Sequence, residues 1–464
     1  MSIQTLERDS VDPGGAAHGF PGRTAYLIMA IAVMVFAVYG SLIPFDLRIR
    51  PFEEGFADFR HHLLNPPRRV SRSDFLANIL LFVPIGFGFT GGLLLGRRRA
   101  LILPGALVVL VCGLAVSVTA EFLQVFAPGR VSSRYDIIAQ TLGCLVGIIC
   151  WFAAGRPLTA WVRSAAATGH GDRLARVLTG YVAVWVFINL APFNVTYDLG
   201  ELARRVRTGR ITLTPFGGYD GTTVRMLWDA LITTISAVPL GLFGLVVWQQ
   251  RTFRHGATFA FLTGTLIVVF MEGAHVFIRS HSADTADVIF GCLGVAVGVS
   301  AGARLLSRDV LLPGNAALRL RMRLGAAALL AWAAVLCAYH WLPYDFSADS
   351  QEIRRKLGTL SLVPFAGYHS GSAISAFNNL LTRIGLSMPV GILLAAIMPR
   401  RPPAIALIAT AIAVIGLFGV IEAGQLFLPT RVPDPTDVLV GLAGSMAGWA
   451  LGRWMLGGRV RDGA

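Results

Sequence analysis

The chain is 464 residues long, 55% hydrophobic and only 14% charged. Soluble proteins carry nearer a quarter charged residues, so this much apolar surface needs lipid to cover it. The net charge of +14 does not point to nucleic acid. Apart from Lys356 the basic residues are arginines, set in short clusters such as Arg97-Arg98-Arg99 between apolar runs. That pattern anchors membrane helices at a cytoplasmic surface.

In chain order, residues 1–23 form a polar lead, expected as a cytoplasmic tail. The uncharged run Thr24–Phe45 is long enough to span and too long for a signal-peptide core, so it reads as a retained signal anchor. Apolar runs then recur at Phe75–Gly96, Ala100–Ala120 and Ile137–Gly155, and at Val177–Tyr197, Ala230–Gln250, Gly256–Met271 and Val288–Ala303. The last four are Leu324–Tyr344, Ile384–Pro399, Pro402–Ile421 and Val438–Gly452. Runs of this length are helices and not barrel strands, because in lipid the backbone must satisfy its own hydrogen bonds. The shorter runs must extend past a flanking polar residue to span fully. The expected fold class is an all-α polytopic membrane protein of about twelve transmembrane helices.

An even number of crossings puts both termini on one side. The short loops on the N-terminal side are almost purely basic, while the other side carries longer loops of mixed charge. The positive-inside rule therefore predicts cytoplasmic N- and C-termini. The five cysteines, Cys112, Cys144, Cys150, Cys292 and Cys337, all lie in apolar runs with no metal-ligand spacing. They read as small packing residues; no disulfide framework, zinc site or cofactor is expected.

Self-comparison is the most informative step. Glu121-Phe-Leu-Gln124 is followed by Arg130, Asp136, Gly143 and Gly147. Glu272-Gly-Ala-His275 is followed by His281, Asp284, Asp287, Gly294 and Gly298. Glu422-Ala-Gly-Gln425 is followed by Arg431, Asp434, Asp437, Gly444 and Gly448. Spacing inside the blocks is identical, and the blocks are offset by 151 and then 150 residues. Pro84-x-Gly86, Pro239-x-Gly241 and Pro389-x-Gly391 sit inside each second helix. Pro44-Phe45, Pro192-Phe193 and Pro343-Tyr344 end each first helix. Repeats two and three share Thr214-Pro-Phe-Gly-Gly-Tyr219 and Val363-Pro-Phe-Ala-Gly-Tyr368. The predicted domains are three parallel four-helix repeats at 24–155, 176–304 and 323–456.

Glu121 and Gln124 share a helix face, Asp136 opens the next helix at the positive end of its dipole, and Gln140 continues the Asp136 face. Gly143-xxx-Gly147 lets another helix come close. Two carboxylates, an amide and a guanidinium would thus gather at one end of a helix pair, near a membrane interface. They serve either as internal glue, with Glu121 pairing Arg130, or as a binding site. The proline in each second helix reads as a packing kink. His61 and His62 lack metal-site spacing. The basic runs Arg204-Arg205-Val-Arg207 and Arg354-Arg355-Lys356 are expected in solvent or at the lipid surface, where they could meet phosphate.

The run Asp74-Phe-Leu-Ala-Asn78-Ile-Leu-Leu-Phe82-Val-Pro84-Ile-Gly86, together with Glu121-Phe-Leu-Gln124, Arg130, Asp136 and Gly143, resembles the VanZ-like family. The resemblance covers nearly the whole chain three times over. It departs at Gln140, Gly291 and Gly441, where the family usually has Asn; at His275 and His281, which replace Gln and Arg; and at Thr233 and Arg383, which replace Asn78. Ser133 stands where the later repeats have Asp284 and Asp434. The resemblance implies a bacterial inner, or cytoplasmic, membrane protein of the cell envelope. The family takes its name from a protein associated with resistance to glycopeptide antibiotics such as teicoplanin.

The residues expected to line outward-facing polar pockets are Asn78, Glu121, Gln124, Arg130, Asp136 and Gln140 in the first repeat. Glu272, His275 and Asp287 follow in the second, and Glu422, Gln425, Arg431, Asp434 and Asp437 in the third. The expected partners are the lipid bilayer and an amphipathic envelope component, such as a lipid-linked cell-wall precursor or phospholipid, which the pockets would bind or modify. No nucleophile–base pair or metal set is visible, so no reaction is assigned. A transporter would need a continuous polar path, whereas most helix midpoints carry no charge; a non-catalytic scaffold needs none.

Overall fold

A computed structural model describes residues 21–43, 45, 48, 50–65, 72–127, 132–167, 170–190, 195–217, 223–249, 255–307, 315–360, 363–365, 373–398 and 402–456. Arg130, Pro44, Pro192-Phe193, the ends of the two Pro-Phe loop motifs and most of the N-terminal tail lie outside them. Among the described residues eleven helices are long and apolar enough to cross a membrane.

The first repeat contains α1 (Arg23–Leu42), α2 (Phe52–Leu64), α3 (Arg72–Leu94), α4 (Ile102–Gln124) and α5 (Arg134–Cys150). A five-residue π turn, Trp151–Gly155, carries α5 into α6 (Arg156–Ala167). The second contains α7 (His170–Leu190), α8 (Leu199–Arg207), α9 (Thr223–Gln249), α10 (Gly256–His275) and α11 (Thr285–Ser307). Strands β1 (Ile211–Thr212) and β2 (Ala283–Asp284) form a two-residue parallel pairing between its loops. The third contains α12 (Asn315–His340), α13 (Ser350–Thr359), α14 (Ala373–Ile397), α15 (Pro403–Gln425) and α16 (Pro435–Leu456). Helix α16, 22 residues long, is not one of the eleven; Gly, Ser, Trp and Arg453 dilute its hydropathy, and it is the fourth helix of its repeat, the counterpart of α5 and α11.

The short apolar runs extend as the membrane requires. The run ending at Met271 continues to His275, and the run beginning at Val288 starts at Thr285. The extension carries Glu272, His275 and Asp287 into the helices. Exposed side chains follow helical spacing: Leu103, Leu107 and Val111 on α4, and Ile408, Ile412 and Ile415 on α15, face outward as a lipid-facing stripe. The protein is embedded in a bilayer through these faces.

Two compact units divide the chain: residues 1–167 with 365–377, and 168–364 with 378–464. The first holds the first repeat with the short segment leading into α14, and the second holds the second repeat and the rest of the third. Within each repeat the second and fourth helices form the tightest pair. A Cβ at Gly86 of α3 would strike the Cys144 carbonyl, and one at Gly147 of α5 the Val83 carbonyl. Gly241 meets Val295 and Gly298 meets Val238 in the second repeat; Gly391 meets Ser445 and Gly448 meets Met388 in the third. Backbone-to-backbone contact of this kind replaces the hydrophobic driving force that lipid does not supply between helices. Side-chain cores close around these pairs: Phe82 and Ile85, then Leu240, Leu245 and Val295, then Val390, Val414 and Phe418.

The loop after each first helix carries the short helix α2, α8 or α13. Asp198 and Asp349 cap α8 and α13 through the amides of Gly200 and Gln351, each at 2.9 Å. Here the structure corrects an expectation for the basic runs. Arg205 and Lys356 are not at the surface but buried, at 2% and 4% exposure. Arg205 donates to the carbonyls of Val276 and His281, each at 2.5 Å, and Lys356 to that of Leu428, also at 2.5 Å. Each cation sits on carbonyls at and beyond the C-terminal end of its repeat's third helix, where the dipole is negative and the acceptors have no helical partner. Their neighbours Arg204 and Arg355 are the exposed members, paired with Glu201 and Glu352.

Candidate polar site of each repeat

The glutamate at the end of each third helix reaches into the loop that follows. Glu121 accepts from the Ser133 amide at 2.9 Å, Glu272 from Asp284 at 2.8 Å and Glu422 from Asp434 at 2.8 Å. The residue three further on then contacts the same carboxylate. Gln124 donates to Glu121 at 3.0 Å, Gln425 to Glu422 at 3.4 Å, and His275 Nδ1 lies 3.1 Å from Glu272. His275 Nε2 faces the Asn189 carbonyl at 3.0 Å. His281 stacks on the His275 ring with centroids 4.6 Å apart.

The loop residue that gives its amide to the glutamate also starts the fourth helix. Ser133, Asp284 and Asp434 accept from the amides of Tyr135, Ala286 and Thr436. They are N-caps, which explains why Ser can replace Asp there. Asp434 is therefore turned to the helix start. One turn in, the aspartates Asp136, Asp287 and Asp437 face the second helix. Asn78 donates to Asp136 at 3.1 Å, Thr233 to Asp287 at 3.3 Å, and Arg383 pairs with Asp437. Gln140 Nε2 reaches Asn78 Oδ1 at 3.5 Å.

The structure thus brings together Asn78, Glu121, Gln124, Asp136 and Gln140; Glu272, His275 and Asp287; and Glu422, Gln425 and Asp437, each set within its own repeat. Glu121 is fully buried, and Gln124, Gln140, His275, Glu422, Gln425 and Asp437 are all within 9% of full burial. Arg130 lies outside the described residues. Its third-repeat counterpart Arg431 does not staple the glutamate: its Nε donates to the Leu342 carbonyl at 2.7 Å, tying the loop to the end of α12.

Two residues escaped the sequence reading as site members. His340 is buried, with Nδ1 3.7 Å from Asp437, and Arg383 was noted only as a departure. The signal for His340 was present: it stands three residues before Pro343, as Ser41 and Asn189 stand before Pro44 and Pro192. Donor atoms of His340, Glu422 and Asp437 lie within 4.8 Å of one another, a grouping that could hold a metal ion. The Arg383 guanidinium already stands against Asp437 and supplies the counter-charge a cation would bring.

Chemically, each site sets two carboxylates at the end of an apolar helix, one holding a single loop amide and the other facing a side chain of the second helix. It is suited to hydrogen-bond donors and positive charge. Among known proteins, neither a curated protein nor a solved structure matches the chain. The sequence model of the VanZ/LLP1 family does, at residues 24–155, 178–306 and 327–456. Those three matches take in every helix pair and every polar set described above. The chain belongs to the VanZ/LLP1 family, as a multi-pass membrane protein carrying three VanZ-like repeats in tandem.

Proposed function

We propose that the repeated polar sites bind the head group of an amphipathic component of the cell envelope, a phospholipid or a lipid-linked cell-wall precursor. The observation that supports this reading is the recurrence, in all three repeats, of a carboxylate pair at the end of apolar helices, fully or partly withdrawn from solvent. Buried polar groups at membrane depth are costly and are kept where they bind or conduct something. In this reading the protein sits in the cytoplasmic membrane with both termini inside, the repeats at 24–155, 176–304 and 323–456 act as the binding domains, and the sites face outward. Capture of an envelope precursor there would connect the chain to the glycopeptide resistance from which its family takes its name.

A second reading has its own observation. The bond from Glu121, Glu272 and Glu422 to the loop amide is identical in kind in every repeat and staples the loop whether or not a ligand binds. A purely structural role makes motif variants lose abundance and nothing else.

Native mass spectrometry on protein extracted gently from its own membranes separates the two. Wild type is compared with Glu121→Gln/Asp136→Asn and Glu422→Gln/Asp437→Asn, with thermal unfolding followed in parallel. A lipid or glycolipid held by wild type and lost from either folded variant is the expected result. Absence of any selectively retained lipid, with variants that only unfold, would return the sites to the scaffold role.

A further inference from the structure

Two loops of the second repeat meet beyond the membrane spans, and their pairing gathers arginine. The loop after α7 and the loop after α10 begin where spans end, at Leu190 and His275. Main-chain bonds knit them together. The Thr196 amide donates to the Phe277 carbonyl at 2.7 Å, and the Ala283 amide to that of Arg210 at 2.8 Å. Ile211 pairs with Ala283 and Thr212 with Asp284. Arg205 fastens this framework from beneath through the carbonyls of Val276 and His281.

Arg204, Arg210 and Arg279 stand exposed on the framework. Arg210 Nη1 reaches the Arg279 carbonyl and Arg279 Nη2 the Thr196 hydroxyl, each at 3.5 Å. Both contacts are long, and neither guanidinium is ion-paired with a carboxylate among the described residues. Arg204 pairs with Glu201, and the bond from Arg204 together with the charges of Arg204 and Arg279 holds that carboxyl below the usual range. The other nearby carboxylates are engaged: Asp198 caps α8, and Asp284 accepts from the amides of Phe216 and Ala286. Apolar side chains leave the same loops, with Tyr197 86%, Leu199 80% and Leu213 89% exposed. The boundary between acyl chains and head groups favours apolar side chains and guanidinium groups together. The arrangement is particular to this repeat. Arg279 stands four residues after His275, whereas Pro128 and Pro429 stand four residues after Gln124 and Gln425.

We propose that this loop framework binds the phosphate of an anionic phospholipid of the surrounding bilayer, held by Arg210 and Arg279 with Arg204 beside them. Guanidinium groups present pairs of N–H donors that match phosphate oxygens. The knitted loops fix the backbone that carries them before a lipid arrives, so little ordering is needed on binding. Arg279 lies four residues beyond the end of the α10 span, at head-group depth. The site uses other residues and the opposite charge from the carboxylate sets, and it does not depend on those sets binding anything.

The test uses the full chain, delipidated in detergent and offered phosphatidylglycerol or phosphatidylcholine with identical acyl chains, with bound lipid read by native mass spectrometry. Wild type is expected to bind phosphatidylglycerol the more tightly. Arg210→Gln/Arg279→Gln should lower that preference about tenfold. Both side chains are exposed, so its melting temperature should stay at the wild-type value and the loss is not loss of fold. Arg97→Gln/Arg98→Gln removes the same charge beyond α3 and should weaken the preference far less. An equal loss there would reduce the effect to net charge and overturn the site. A wild type that binds the two lipids alike would overturn it too, as would a preference that survives in Arg210→Gln/Arg279→Gln. Displacement of phosphatidylglycerol by millimolar inorganic phosphate would overturn the phospholipid in favour of a soluble anion. Glu121→Gln/Asp136→Asn and Glu422→Gln/Asp437→Asn should keep the preference. Its loss in either of them, with wild-type behaviour in Arg210→Gln/Arg279→Gln, would move the lipid to the carboxylate sites and leave that reading standing alone.

Discussion

At the scale of single residues, the same three bonds recur with different side chains, and the differences carry the information. Glutamate to loop amide is invariant across the repeats, because the acceptor must be long enough to cross from the third helix to the fourth. The partner of the helix-four aspartate varies: Asn78, Thr233 and Arg383. Removing one member of the buried pair in the third repeat should be costly. Arg383→Leu leaves Asp437, at 4% exposure, without its cation, and should lower stability by about 3–5 kcal/mol. The double variant Arg383→Leu/Asp437→Asn should recover much of that loss, and a thermal-unfolding double-mutant cycle in detergent measures the coupling. An additive cycle would show that the two side chains do not support one another. Sequence spacing put a glutamate and an aspartate into one set per repeat. It did not show that the Arg431 guanidinium donates to the Leu342 carbonyl, because a carbonyl acceptor on another segment leaves no trace in the spacing of side chains.

At the scale of elements, glycine decides which helices meet. The second and fourth helices of each repeat touch through backbone, so a methyl group at the contact has nowhere to go. Gly448→Ala, aimed at the Met388 carbonyl, should destabilise by about 1–3 kcal/mol. Gly416→Ala on α15, which meets open space, should be neutral or stabilising by up to about 1 kcal/mol. Equal melting temperatures for the two variants would contradict the close packing of α14 on α16. The Gly-xxx-Gly spacing was legible in the sequence; its partner, the glycine two residues after each helix-two proline, was visible as a motif but not as the facing surface. The aromatic residues of the Pro-aromatic pairs also acquire a reason. Phe45 and Tyr344 take φ values of 65° and 66°, and Phe216 and Phe365 take 63° and 65°. A bulky residue in the left-handed region marks a turn held by its surroundings, here once after a first helix and once before a second.

At the scale of the whole molecule, each repeat has the same order of helices, so the loop bearing α2, α8 or α13 lies at the same helix ends as the polar site of its own repeat. In the first repeat this has a direct check. Asp58→Cys on α2 and Arg98→Cys after α3, in a background without Cys112 and Cys150, should label from opposite faces of intact cells with a membrane-impermeant thiol reagent. With the N-terminus inside, Asp58→Cys reacts from outside and Arg98→Cys does not. The reverse pattern would turn the orientation over, and labelling of both from outside would break the crossing of α3.

The sequence by itself determined the solvent, the long apolar helices, the threefold repeat and the composition of the polar sets. Each of these is a local or periodic property: hydropathy over about 20 residues sets a span, and equal spacing sets a repeat. Only the tertiary structure decided what each polar side chain faces. It showed that Arg205 and Lys356 turn inward to carbonyls at the end of the third helix, that Asp284 and Asp434 cap helices, that His340 joins Asp437, and that Gln140 Oε1 has no donor among the described residues. Those facts depend on the distance and direction between atoms on different helices, which the order of residues along one helix does not encode.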